Sequence, residues 1–177
     1  MSLDDLRNKL PAFAKDISLN LSSLAAETTL SDQQKWGCFV ASAYAVGAPD
    51  VVKGLTAAAK EAGLSDEALT AAKAAAAIMS MNNVYYRSLH LMKNQEYRTL
   101  PAKLRMTIIG NPGVDKIDFE LWCTAVSAVN GCGMCLDAHE AELKKHCMTN
   151  VQIQAALRIA AVVNAASHVV WAEAAAG

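Results

Sequence analysis

Cys132-Gly133-Met134-Cys135 is where residue types and spacing first suggest chemistry. Two cysteines three positions apart on a helix are neighbours on one face. Their Cα atoms lie about 5–6 Å apart, a span that a disulfide bridges. Gly131 reads as the stop of the preceding helix, so the pair falls in the first turn of the next one. The partial positive charge at a helix N-terminus favours the reactive thiolate. His139 follows Cys135 by four residues and Cys132 by seven, which places all three on one face. An imidazole one turn below a cysteine can take its proton and return it. Gly131 and Gly133 leave open backbone beside the sulfurs, suited to approach by a partner disulfide or a peroxide. The chemistry of such a group is thiol–disulfide exchange.

Zinc is the competing reading of the same residues. A structural zinc takes four ligands. Cys132, Cys135 and His139 supply three, and His146 or Cys147 would have to supply the fourth. His146 lies two turns beyond His139, a poor distance for sharing one ion. The remaining cysteines lack a comparable setting. Cys38 and Cys123 read as small core residues and Cys147 as a thiol near a helix end. His90 reads as loop surface, His168 as helix packing, and Tyr85 and Tyr86 as helix packing.

Helices must position these residues, and their punctuation recurs along the chain. Ser2 precedes Asp4 and Asp5, as at an acidic helix start, and Pro11 breaks or restarts that helix. Ser31 and Gln34 form a capping box before an apolar run from Trp36 to Val46, which Gly47 stops. Asp50 is expected to cap the next helix, ending near Gly63. Ser65 opens a long Ala-rich helix to about Tyr86. Residues 94–113 carry Pro101, Gly110 and the Asn111-Pro112-Gly113 turn, so this stretch reads as a connector with room for a short helix. Asp115 or Asp118 starts a helix through Val129. Cys132 opens another toward His146, and Thr149 caps the last, to about Ala174. No segment sustains period-2 alternation, so the fold class is all-α. The 177 residues read as one domain.

An internal duplication is also expected. Sliding the chain by 84 residues aligns Gly47 with Gly131 and Ser65 with Thr149. The half-repeats, about 31–90 and 115–174, each read as helix, Gly stop, short helix, polar cap and long Ala-rich helix. The first half has Ala48, Val51 and Leu55 where the second has Cys132, Cys135 and His139, so the redox site belongs to the second.

Composition narrows the function classes. Sixteen Lys+Arg against 17 Asp+Glu give a formal net charge of -1, without the basic footprint of a nucleic-acid binder. Hydrophobic residues are 53% of the chain but aromatics only 6%; the excess of Ala favours helices packed through small side chains. Met1 to Asp5 show neither a basic n-region nor an apolar h-region, so no secretory leader is expected. The apolar stretch from Val151 to Ala172 contains Gln152, Gln154, Arg158, Asn164 and His168, and reads as a poor membrane span. Five cysteines, an odd number, argue against a disulfide framework. A cytoplasmic protein with no membrane and no nucleic-acid partner is expected.

Several ordered motifs carry a family resemblance. They are Met81-Asn82-Asn83-Val84-Tyr85-Tyr86-Arg87, Leu104-Arg105-Met106 through Asn111-Pro112-Gly113, Phe119-Glu120-Leu121-Trp122, and Asn130-Gly131-Cys132 through Ala138-His139-Glu140. Together they closely resemble the alkyl hydroperoxidase AhpD family, most strongly from about Asn82 to Glu140. The resemblance implies an all-helical protomer, a homotrimer and a two-cysteine redox site with no bound cofactor. Proteins of this family reduce the disulfide of the peroxiredoxin AhpC. They draw reducing equivalents from a lipoylated dehydrogenase-complex subunit and also reduce hydroperoxides weakly by themselves.

Carried over by position, the family's cysteines fall on Cys132 and Cys135, its histidine on His139, and its proton-relay glutamate on Glu120. Glu120 lies a full helix earlier and otherwise reads as an ordinary acid near a helix start. Some members carry a second histidine between the cysteines; this chain has Met134 there. Cys135 is expected to attack peroxide and Cys132 to resolve the sulfenic acid. For protein disulfides, a thioredoxin-like order would make Cys132, as the more exposed cysteine, the attacker. Two alternatives stand beside this reading: a carboxymuconolactone decarboxylase-like enzyme, whose chemistry needs no dithiol, and a non-enzymatic, zinc-stapled scaffold.

Overall fold

The computed structural model describes residues 2–177; Met1, where the N-terminal reading begins, lies outside the described residues. The chain forms α1 (Leu3–Arg7), α2 (Lys15–Ala26), α3 (Asp32–Val46), α4 (Pro49–Glu61), α5 (Asp66–Leu91), α6 (Thr107–Gly110), α7 (Lys116–Val129), α8 (Gly133–Lys145) and α9 (Asn150–Ala176). Short 3₁₀ turns at Ala12–Ala14 and Gln95–Arg98 complete it, and there is no strand among the described residues. The fold is all-α.

The expected caps form with their hydrogen bonds. Ser31 with Gln34, and Thr149 with Gln152, make reciprocal capping boxes on α3 and α9, and Ser65 Oγ accepts from the Ala68 amide. Asp115 caps α7, its Oδ1 accepting from the Ile117 amide at 2.7 Å. Asp118 does something else. It is buried and accepts from Gln33 Nε2 at 2.7 Å and Gln34 Nε2 at 2.9 Å, tying the start of α7 to the start of α3.

Three expectations are corrected. Helix α4 starts at Pro49 with Ala48 as its N-cap, because proline's fixed φ suits the first helical position and its missing N–H costs nothing there. Asp50 instead pairs with Lys9 Nζ at 2.7 Å. Helix α5 continues to Leu91, so His90 lies in its last turn, exposed, and is not on a loop. His168 is exposed on α9 and is not packed.

Helix α3 is central, packing against α5, α7 and α9. It packs tightly at Gly37, where a Cβ would fall 2.0 Å from Trp122 Cε2. The fully buried Trp122 ring occupies that space, and its Nε1 donates to the Gln34 carbonyl at 3.1 Å. By length and composition α9 could cross a membrane. Here it buries Ile153, Ile159, Val163 and Val170 in the core against α3 and α7, as an internal helix does. Helices α3, α4 and α5 have 15, 13 and 26 residues, and α7, α8 and α9 have 14, 13 and 27.

Candidate active site

The site is built at the α7–α8 junction. Helix α7 ends at Val129 with Asn130 as its C-cap, and Gly131 turns the chain with φ 65°, a left-handed conformation that glycine adopts without strain. The Cys132 amide donates back to the Ser127 carbonyl at 3.1 Å, closing the turn. Cys132 is the N-cap of α8, and Cys135 stands in its first turn. The two are joined by a disulfide, with Cα atoms 5.3 Å apart. Their exposure runs against the thioredoxin-like order: Cys132 is 0% exposed and Cys135 6%. Cys135 also lines a cavity that Cys132 does not reach. The cysteine open to a reactant is therefore Cys135.

His139 lies one turn further along α8. Its Nδ1 is 2.7 Å from Glu120 Oε2, and both side chains are largely buried. Glu120 comes from the first half of α7, nineteen residues away in sequence. A buried carboxylate needs a partner of this kind, since the desolvated charge is costly alone. The other ring nitrogen, Nε2, is 3.3 Å from Met79 Sδ on α5. Both nitrogens thus face acceptors, which fixes the ring plane between α5 and α7.

Cys135 and His139 open on one cavity of about 290 Å³. Its remaining wall is mostly apolar, formed by Met79, Met106, Ile109, Met134 and Ala138, with Asn82 and Tyr86 as its polar members. Met134, between the cysteines, therefore supplies apolar surface to the cavity. Tyr86, expected only to pack, forms part of the same wall, with its hydroxyl 4.0 Å from Met106 Sδ.

A buried polar network holds the turn from behind. Asn83 Nδ2 donates to Ser127 Oγ at 2.9 Å, and Asn83 Oδ1 accepts from Asn130 Nδ2 at 2.9 Å. Arg87 Nη1 donates to the Asn130 carbonyl. Three bonds from α5 thus clamp the residues that lead into Cys132. Fully satisfied networks of this kind rigidify a site.

The other cysteines take no part. Cys38 and Cys123 are buried in the core, and burial pushes both thiols up, with the charges of Asp118 and Glu120 respectively adding to the effect. Cys147 is exposed beyond α8. The zinc arrangement is not assembled among the described residues. Cys132 and Cys135 share a bond, His139 turns Nδ1 to Glu120, and His146 Nδ1 donates to the Glu142 carbonyl on the surface.

All four residues singled out from sequence, Cys132, Cys135, His139 and Glu120, meet here. Met79, Asn82, Asn83, Met106, Ser127 and Asn130 were missed as site residues. The available signal was two adjacent asparagines inside an Ala-rich helix, where amides gain nothing from helix propensity and are buried only for a partner.

The geometry can be set beside known proteins. The family model for the carboxymuconolactone decarboxylase family matches residues 95–177, the part that holds both cysteines, Glu120 and His139. Over nearly the whole chain the relatives are narrower. The alkyl hydroperoxide reductase AhpD of Maricaulis maris is 66% identical over 173 residues, covering 98% of this chain and 99% of its own. That of Hyphomonas neptunium is 64% identical over 175 residues, with 99% and 97% covered. That of Brucella anthropi is 59% identical over 163 residues, with 92% and 93% covered. Similarity at this level, end to end, shows the family: the chain belongs to the AhpD family of alkyl hydroperoxide reductases.

Proposed function

We propose that this protein is an antioxidant thiol–disulfide oxidoreductase whose Cys132–Cys135 dithiol reduces alkyl hydroperoxides and regenerates the peroxiredoxin AhpC from its disulfide form. One observation carries the reading. Cys135 sits at a helix start, opens on an apolar cavity beside a buried His–Glu pair, and has Cys132 within bonding reach. The relatives' name, alkyl hydroperoxide reductase, supports the substrate class. A decarboxylase reading has no use for the cysteine pair.

In the reduced protein, the N-terminus of α8 stabilises the Cys135 thiolate. That thiolate attacks the terminal oxygen of the hydroperoxide, and the O–O bond breaks with its electron pair leaving on the alkoxide. His139, held by Glu120, gives the alkoxide its proton, so that an alcohol departs. Cys135 is left as a sulfenic acid. Cys132 then attacks the Cys135 sulfur, the S–O bond breaks, and water leaves with a proton relayed through His139 and Glu120. With AhpC, the Cys135 thiolate attacks the partner's disulfide to form a mixed disulfide. Cys132 resolves it, and AhpC leaves as the dithiol. Both routes end in the Cys132–Cys135 disulfide.

A dithiol on a lipoylated dehydrogenase-complex subunit completes the cycle, closing to its own ring disulfide as it reduces Cys135 and Cys132. No bound cofactor or metal enters these steps. The working unit is a homotrimer, which the exposed apolar residues Val84, Leu91, Tyr97 and Leu100 around α5 support. Its location is the cytoplasm, a reducing compartment that suits three free thiols.

The test presents the oxidised protein separately with reduced lipoyl domain, glutathione and thioredoxin, then adds AhpC disulfide or an organic hydroperoxide. Rapid reduction by the lipoyl domain, followed by turnover on both oxidants, is the expected result. A protein that loses no thiols to either oxidant refutes the reading.

A further inference from the structure

The cavity beside Cys135 contains one polar group with no partner. Asn82 on α5 is 4% exposed, and its Oδ1 is buried without a hydrogen bond. Three other buried oxygens share that condition, those of Ser42, Thr56 and Ser167. None of the three lines the cavity, whereas Asn82 does. Its neighbour Asn83 has every polar atom engaged in the α5–α7 network. The two adjacent amides therefore differ in kind: Asn83 is bonded to the protein, and Asn82 lines the cavity with a buried Oδ1 that has no partner.

A buried acceptor left empty is destabilising, and a ligand that supplies a donor removes the penalty. The walls restrict that ligand further. Three methionine side chains, Ile109 and Ala138 favour an apolar body, and about 290 Å³ admits a small organic molecule. Beside the cysteine, the molecule must present one O–H and an otherwise apolar surface. An organic hydroperoxide, R–O–O–H, has that form.

We propose that Asn82 receives and orients the substrate, its Oδ1 accepting the hydroperoxide O–H while the R group lies among Met79, Met106, Ile109 and Met134. The proposal rests on the peroxide-reducing function given above. The Cys135 thiolate attacks the oxygen that carries the bound hydrogen. The O–O bond breaks, R–O⁻ takes a proton from His139, and the hydrogen stays on the new Cys135 sulfenic acid, still held by Asn82. Charge and atoms balance: a thiolate, a hydroperoxide and one proton give a sulfenic acid and an alcohol. Asn82 thus serves the substrate first and the intermediate next. Holding the reacting oxygen against the sulfur is the kind of positioning that accelerates a bimolecular attack.

The experiment uses the full-length protein, pre-reduced, with Asn82→Leu and Asn82→Ala as variants. Single-turnover thiol loss is followed with cumene hydroperoxide, and Cys135 exchange with an aromatic disulfide serves as a reaction that needs no O–H acceptor. Both variants should react about tenfold or more slowly with cumene hydroperoxide. Their rates with the aromatic disulfide should fall far less, so that the ratio of the two rates drops by most of that factor, and the thermal midpoint of Asn82→Leu should not fall, because the amide oxygen bonds to nothing in the protein. Parent-like rates with cumene hydroperoxide in both variants overturn the role of Asn82 while leaving the function intact. Equal slowing with both oxidants, or a lowered midpoint in both variants, also overturns it, since Asn82 would then be shaping the fold. A parent protein that loses no thiols to cumene hydroperoxide refutes the underlying function itself.

Discussion

Glu120 reaches across the α7–α8 junction to His139, Oε2 to Nδ1, at 2.7 Å, with both groups shielded from water. The pair joins two helices and also fixes which side of the imidazole faces α5. In Glu120→Gln the size is kept and the charge is removed. Turnover with hydroperoxide should fall about tenfold or more, because the ring loses the charged acceptor that holds its Nδ1 side in place. Unchanged single-turnover rates would show that the carboxylate only joins the helices.

His139→Ala should slow peroxide reduction by about 10²–10⁴-fold, the range for loss of a positioned proton-transfer group. Helical content should stay near the parent's, because the ring, though largely buried, lines the cavity and lies outside the central core. Circular dichroism and single-turnover rates, measured on the same samples, separate the two effects.

The unequal exposure of the cysteines predicts unequal products. Cys132→Ser should still attack hydroperoxide and stop at a Cys135 sulfenic acid, trapped by a dimedone tag and located by mass mapping. Cys135→Ser should give no tag on Cys132, which is sealed from the cavity. A tag on Cys132 at comparable yield would reverse the assignment.

Cys38 and Cys123 make stability depend on alkaline pH. Burial raises both thiols above their ordinary value of 9.0, so the folded protein keeps two protons that the unfolded chain releases. Their contribution is complete below about pH 9 and is lost as pH rises above it, by about 1.4 kcal/mol per pH unit for each thiol. Urea midpoints measured from pH 8 to 10.5 should fall accordingly. The double variant Cys38→Ala with Cys123→Ala should show a flatter decline.

Gly37→Ala should be among the most damaging single-methyl additions in the molecule. The new Cβ would lie 2.0 Å from the Trp122 ring, which is fully buried and cannot swing away. A loss of about 3 kcal/mol is expected from such overpacking, read as a lowered denaturation midpoint.

Much of the fold was legible because capping residues are local signals. Ser31 with Gln34, and Thr149 with Gln152, announce their helices within four positions. Local chemistry fell short where a long-range partner took the side chain: Asp50 has the chemistry of a cap but is paired with Lys9, and of the two candidate caps for α7 only Asp115 serves, Asp118 being drawn back to Gln33 and Gln34. The site divides in the same way. Cys132, Cys135 and His139 share one helix, so their spacing reveals them. Glu120 needed the family resemblance. Met79 and Asn82 lie far away on α5, and only the packing of α5 against α7 and α8 brings them to the sulfur.

One sulfur of the pair faces the cavity, and this imposes an order in time. Under the proposed function, peroxide, partner disulfide and reductant all use Cys135, so no two of them can be engaged at once. On that reading the protein passes electrons as a single-berth dock passes cargo: unloading must finish before loading begins. Parallel double-reciprocal lines, the kinetic mark of such alternation, follow from the burial of Cys132. An excess of either redox partner should then compete with the other for the same berth, so flux depends on the ratio of the two as well as on their sum.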